Sequence, residues 1–111
     1  MRWACKIALL LAVFLAPALT ARAAEADAPA LYAKHCANCH GADRLGLNGP
    51  ALLPQNLRRL RQPKAVKVIA KGSIATQMPG FDHLLKPDEI AALAKLIYTP
   101  LPVEPIWLAP R

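Results

Sequence analysis

Cys36-Ala37-Asn38-Cys39-His40 decides how the rest of the chain is read. Two thiols three positions apart, followed at once by an imidazole, form the C-x-x-C-H signature of covalent haem attachment. The spacing has a chemical reason. Each thiol adds across one vinyl group, so the two sulfurs need a fixed separation along the porphyrin edge. The histidine that follows is then held under the iron as an axial ligand. Two other readings compete. Zinc takes four ligands, usually from a second Cys/His pair at short spacing, yet His35 and His83 are the only other histidines and no cysteine follows Cys39. A thioredoxin-like dithiol needs a βαβ setting, and no such pattern flanks the motif.

Towards the amino terminus, Arg2 and Lys6 precede ten apolar residues from Ile7 to Ala16, and Ala21-Arg22-Ala23 offers the A-x-A pattern of signal cleavage. Ten residues fall well short of the roughly 20 that span a bilayer. Residues 1–23 are therefore expected to be a cleaved signal peptide, Cys5 leaving with it, and residues 24–99 a single domain. The 88 residues that remain bury only a modest core, and a buried haem supplies the missing centre. Both remaining cysteines lie in the motif, so none is left for a disulfide. Bacterial thioether attachment takes place outside the cytoplasm, so the periplasm is the expected location. The formal charge of +7 includes Arg2, Lys6 and Arg22. Without them 11 basic residues face 7 acidic ones, a formal +4, too small an excess to argue for nucleic acid.

Outward from the motif the pattern is helical. Asp27 is an N-cap and Pro29 a first-turn proline for a helix running to Cys36, with Leu31 and Tyr32 inward and His35 an exposed neighbour of the motif. Gly41 to Pro54 reads as loop. A ligating histidine needs an acceptor for its outer nitrogen, and a carbonyl near Asn48 to Pro50 is the expected one. Leu52 and Leu53 are candidates to cover a haem face or to fill the core. Gln55 to Arg61 reads as a short helical turn with Leu57 and Leu60 inward. A helix follows Pro63 to Lys71 with Ala65, Val68 and Ile69 buried, and Gly72 stops it. Lys64, Lys67 and Lys71 share its outer face, either solvated or meeting an acidic partner.

Met78 stands in an irregular stretch, followed by Pro79 and Gly80, and is the only methionine besides Met1. A thioether held by stiff backbone suits a sixth iron ligand. The alternatives are core filler, or His83 as the ligand instead. Pro87 to Tyr98 is the strongest helix, opened by proline and two acids. Ile90, Leu93, Ala94 and Ile97 share one face, and small Ala91 and Ala94 permit close approach of the first helix. Residues 100–111 are a proline-rich tail whose Ile106, Trp107 and Leu108 either fold back on the domain or dock on a partner.

These features together resemble the class I cytochrome c family over roughly Ala28 to Tyr98. They are the Leu31-Tyr32 pair, Cys36 to Gly41, Gly49-Pro50-Ala51-Leu52, Met78-Pro79-Gly80 and the closing helix. The resemblance implies an all-α fold of three to five helices around one covalently bound haem c. Cys36 and Cys39 would be its thioether anchors, His40 and Met78 the axial ligands, and the Pro50 carbonyl the histidine's acceptor. Ala28 departs from the glycine common at the helix crossing. A narrower resemblance is to small monohaem cytochromes associated with haem-containing dissimilatory nitrite reductase, and to cytochrome domains fused to propellers in that system. The chain ends where a propeller would begin, which suggests a stand-alone, monomeric carrier exchanging electrons with redox partners such as nitrite reductase or an enzyme of its cofactor's maturation. From other classes, a haem enzyme or gas sensor with displaceable Met78, or a cofactor-handling scaffold docking through its tail, fits the same residues.

Overall fold

The computed structural model describes residues 24–103 together with 105 and 106. Within them the chain forms four helices and no strand: α1 (Ala28–His35), α2 (Ala37–His40), α3 (Gln62–Lys71) and α4 (Pro87–Ile97). The all-α expectation holds. The signal-peptide reading and Trp107 and Leu108 of the tail lie outside the described residues.

Local chemistry explains where each helix starts. The Asp27 carboxylate accepts the Ala30 amide at 3.1 Å, so the cap falls where the sequence put it. At Cys36 (φ −117°) the helix breaks, and the chain restarts as the single turn α2. The first cysteine therefore closes one helix while the second lies inside the next, leaving Cys36 half-buried and Cys39 exposed. Before α4 the Glu89 carboxylate accepts the Lys86 amide at 2.8 Å, satisfying a donor that Pro87 cannot help to pair.

α4 is the spine of the domain and packs against both α1 and α3. Ile90, Leu93, Ala94 and Ile97 are all buried, as their spacing requires. Burying a side chain such as Leu93 stabilises the fold by about 2 kcal/mol. Ala94 has no exposed surface, which lets a neighbour approach closely. Ala91 is exposed, so only one of the two small residues serves that purpose: one position after Ile90, it lies about 100° round the helix and falls off the buried stripe.

The stretch before α3 is a pair of turns, with the Leu57 amide on the Leu53 carbonyl and the Leu60 amide on that of Leu57. Leu57 is buried, and the Tyr98 hydroxyl donates to the Leu60 carbonyl, tying this stretch to the end of α4. In α3, Ala65 and Ile69 are buried and Val68 half-buried, while Lys64, Lys67 and Lys71 face solvent. Ile106 is exposed, so this tail residue does not fold back on the domain. No helix of the described residues is long and apolar enough to cross a membrane.

Candidate functional site

A cavity of about 390 Å³ opens between the elements. Cys36, Cys39 and His40 line it, as do Met78 and Pro79 from the segment after α3. Leu52, Leu57, Val68, Ile69, Leu93 and Ile97 make most of the rest of its lining apolar. The motif and the lone loop methionine, 38 residues apart in sequence, thus face one space.

His40 is buried, and its Nδ1 lies 2.8 Å from the Pro50 carbonyl oxygen. A carbonyl can only accept, so Nδ1 carries the proton and Nε2 keeps a free lone pair. That is the tautomer a metal ligand needs. The loop that supplies Pro50 is pinned to the motif by the Gly49 amide on the Cys39 carbonyl (2.7 Å) and the Gly46 amide on that of His40 (2.8 Å). Position 49 favours glycine for steric reasons: a Cβ there would stand 2.9 Å from Cε1 of His40 and press on the ring. The Tyr32 hydroxyl donates to the Gly41 carbonyl at 2.8 Å, bracing the far end of the same turn. Burial pushes the Tyr32 phenol up to about 12, with the nearby Cys36 adding to the shift. It also pushes the Cys36 thiol up to about 11, helped by Cys39, so before any attachment this thiol is neutral at physiological pH.

Met78 is half-buried and its backbone is fixed locally. The Thr76 hydroxyl accepts the Met78 amide (3.2 Å) and donates to the Ser73 carbonyl (2.7 Å), while the Met78 carbonyl accepts the Ser73 amide. After it the Phe81 and Asp82 amides bond to Ile69 and Ala70 carbonyls of α3. A Cβ at Gly80 would lie 2.7 Å from the Ala70 carbonyl oxygen, so only glycine lets the chain pass this close to the helix end.

His83, the rival ligand in the sequence, is exposed and outside the cavity lining. His35 is not the exposed neighbour its position suggested. It is half-buried, lines the cavity and meets the Phe81 ring edge-on at 5.9 Å. Of the two candidate leucines Leu52 lines the cavity, whereas Leu53 is buried elsewhere. Among the described residues no three His, Cys, Asp or Glu side chains converge as a metal-ion site, which disfavours the zinc reading. Sequence reasoning gave no role to Arg44, buried with Nη1 donating to the carbonyls of Leu96 (2.7 Å) and Thr99 (2.9 Å). Its partners lie more than 50 residues away, and nothing local signals them.

An apolar cavity with two free thiols, a correctly protonated imidazole and a thioether on its lining fits a haem. The four-helix fold and this cavity define a c-type cytochrome domain, a class that holds haem c covalently. The chain belongs to the family described as cytochrome c oxidase, cbb3-type, subunit III, whose model matches residues 23–97. It is 48% identical over 89 residues to a dihydro-heme d1 dehydrogenase of Pseudomonas aeruginosa, a match that covers 80% of this chain and 18% of that protein. The solved dihydro-heme d1 dehydrogenase NirN, in complex with DHE, superposes with a TM-score of 0.68 at 49% identity, over 70% of this chain and 17% of that one. The c-type cytochrome NirC matches with a TM-score of 0.59 at 31% identity, over 63% of this chain and 82% of its own. The chain spans less than a fifth of the dehydrogenase.

Proposed function

We propose that the chain is a periplasmic carrier of single electrons serving an enzyme of haem d1 handling or a nitrite reductase. The observation that carries this reading is the convergence of Cys36, Cys39, His40 and Met78 on one apolar cavity, with His40 locked onto Pro50. In this reading Cys36 and Cys39 would anchor haem c as thioethers, and His40 Nε2 and the Met78 sulfur would be the ligands of its iron. When bound, the haem supplies a one-electron couple, and methionine ligation favours its reduced form. The protein's own part is positional. Pro50 fixes the ring of His40, Thr76 and Gly80 fix the Met78 segment, and the leucine and isoleucine lining excludes water. Small rearrangement on electron exchange follows from that rigidity.

The likeness to part of a dihydro-heme d1 dehydrogenase and to NirC supports a partner in the same chemistry. Arg58, Arg59, Arg61, Lys64 and Lys67 are exposed, and no acidic residue interrupts positions 44–81. These exposed cations suit an acidic partner, whose approach they would accelerate at low salt.

Absorption spectra of the exported protein, oxidised and reduced, test the reading. Wild type is expected to be coloured and, when reduced, unchanged by carbon monoxide. Met78→Ala is expected to bind carbon monoxide and to have a lower potential. A rapid carbon monoxide shift in wild type would favour an enzyme or sensor with a displaceable ligand.

A further inference from the structure

His40 and Arg44 are the two buried polar residues of the described chain. His40 has its function in the site; Arg44 does not. Its guanidinium is held by backbone carbonyls alone, those of Leu96 and Thr99 at the carboxyl end of α4. No carboxylate neutralises it among the described residues, where the one ion pair joins Lys71 and Asp82. The adjacent Asp43 is exposed and turns its carboxylate to the Leu45 amide (3.3 Å). Arg44 also sits at φ +64°, a left-handed conformation that residues other than glycine rarely adopt. A strained backbone and a buried unpaired charge are both unfavourable, and a neutral side chain would avoid the second.

The location gives the charge something to act on. Arg44 lies four residues beyond His40, and its carbonyl accepts at 2.9 Å the amide of Leu52, which itself lines the cavity. Its guanidinium bonds the carbonyl of Leu96, the neighbour of Ile97 in the cavity lining. Screening is weak in such surroundings, and a guanidinium stays charged at every accessible pH.

We propose that Arg44 tunes the redox couple of this domain: a fixed positive charge behind the His40 turn that disfavours the oxidised state and raises the midpoint potential. The oxidised couple carries one more positive charge than the reduced, so a nearby buried cation destabilises it selectively. The same hydrogen bonds fasten the turn after His40 to the end of α4, so a lost charge and a lost tie have to be told apart. This inference rests on the haem reading above.

Equilibrium redox titration of the full, haem-loaded chain separates the two roles, with wild type compared against Arg44→Gln and Arg44→Lys and unfolding followed in parallel. Arg44→Gln is expected to lower the midpoint potential with unchanged absorption bands. Arg44→Lys, which keeps the charge but not both carbonyl bonds, is expected to lose stability while its potential stays near wild type. If Arg44→Gln cannot be folded, the neutral Arg44→Met is titrated in its place and must show the lowered potential; an Arg44→Lys potential that falls in step with its stability overturns the proposal. So does an Arg44→Gln protein whose potential equals wild type. A colourless wild type would instead sink the haem reading itself, and this inference with it.

Discussion

Between Tyr32 and Pro50 the cavity is walled by chain that bonds to itself: Tyr32 to Gly41, Gly46 to His40, Gly49 to Cys39, His40 to Pro50. From Ser73 to Asp82 the wall is held differently. A small Thr76-centred turn sets Met78, but the segment is fastened to the domain by amides of Phe81 and Asp82 on the exposed carbonyl end of α3. Apart from the Arg44 bonds to Leu96 and Thr99, the first region is a local unit whose parts are near in sequence. The second depends on α3 being in place. A motif can therefore specify the imidazole side almost alone, whereas the sulfur side exists only once tertiary structure has formed.

Two alanine substitutions sharpen that contrast, and the larger effect falls on the methionine side. At Gly80 a new Cβ meets backbone, 2.7 Å from Ala70 O and 2.8 Å from Lys71 C. Neither can move without dislodging α3. Gly80→Ala should cost about 3 kcal/mol, read as a lowered denaturant midpoint, with loss of whatever spectral signature Met78 provides. At Gly49 the nearest atoms, at 2.9 and 3.0 Å, belong to the His40 ring, a side chain that can yield a few tenths of an ångström. Gly49→Ala should cost about 1 kcal/mol. Equal costs, or the reverse order, would mean that the two sides are held alike.

Tyr32→Phe probes the motif side by itself. It removes the 2.8 Å bond to Gly41, whose carbonyl keeps only the Arg44 amide at 3.1 Å, so a loss of about 1 kcal/mol is expected. Met78-dependent spectral features should not change. The phenol also sets a pH limit. Its pKa lies near 12 in the folded chain against an ordinary 10, so unfolding releases its proton more readily. Its contribution is complete below pH 10 and is lost as pH rises towards 12. Thermal melts across that range should fall more steeply for wild type than for Tyr32→Phe.

How far the sequence could be read follows the same division. The C-x-x-C-H pentapeptide, the Asp27 cap, the carbonyl near Pro50 and the buried face of α4 each depend on residues within about ten positions of one another. Local pattern sufficed for all of them. Met78 was singled out because a methionine between irregular chain and Pro79-Gly80 serves no helix or strand stripe, yet its place on the cavity rests on α3. Arg44 carried no signal at all. Its partners lie 52 and 55 positions on, and a basic residue in a polar loop ordinarily points to water. The sequence ended the first helix at Cys36, as the structure does, but the restart as α2 at Ala37 was equally hidden.

The smallest expected effect concerns the Lys71–Asp82 pair, which joins the last residue of α3 to the end of the methionine segment with Nζ and Oδ2 2.5 Å apart. By position it resembles a clasp. Each partner shifts the other in the expected sense, Lys71 upward and Asp82 downward, chiefly through their shared hydrogen bond. Both side chains are nonetheless open to solvent, 77% and 42% exposed. There water and salt screen the attraction and two side chains lose rotamer freedom to form it. Asp82 titrates lower when folded, so any contribution is present above its ordinary carboxylate range and lost as pH falls below it. Lys71→Ala and Asp82→Asn should each leave the unfolding midpoint where it is at neutral pH, in low and in high salt. A clear, salt-sensitive loss in either would show that the methionine side hangs on its ion pair. The backbone bonds to Ile69 and Ala70 would then be incidental, and the contrast with the self-bonded motif side would have to be redrawn around charge.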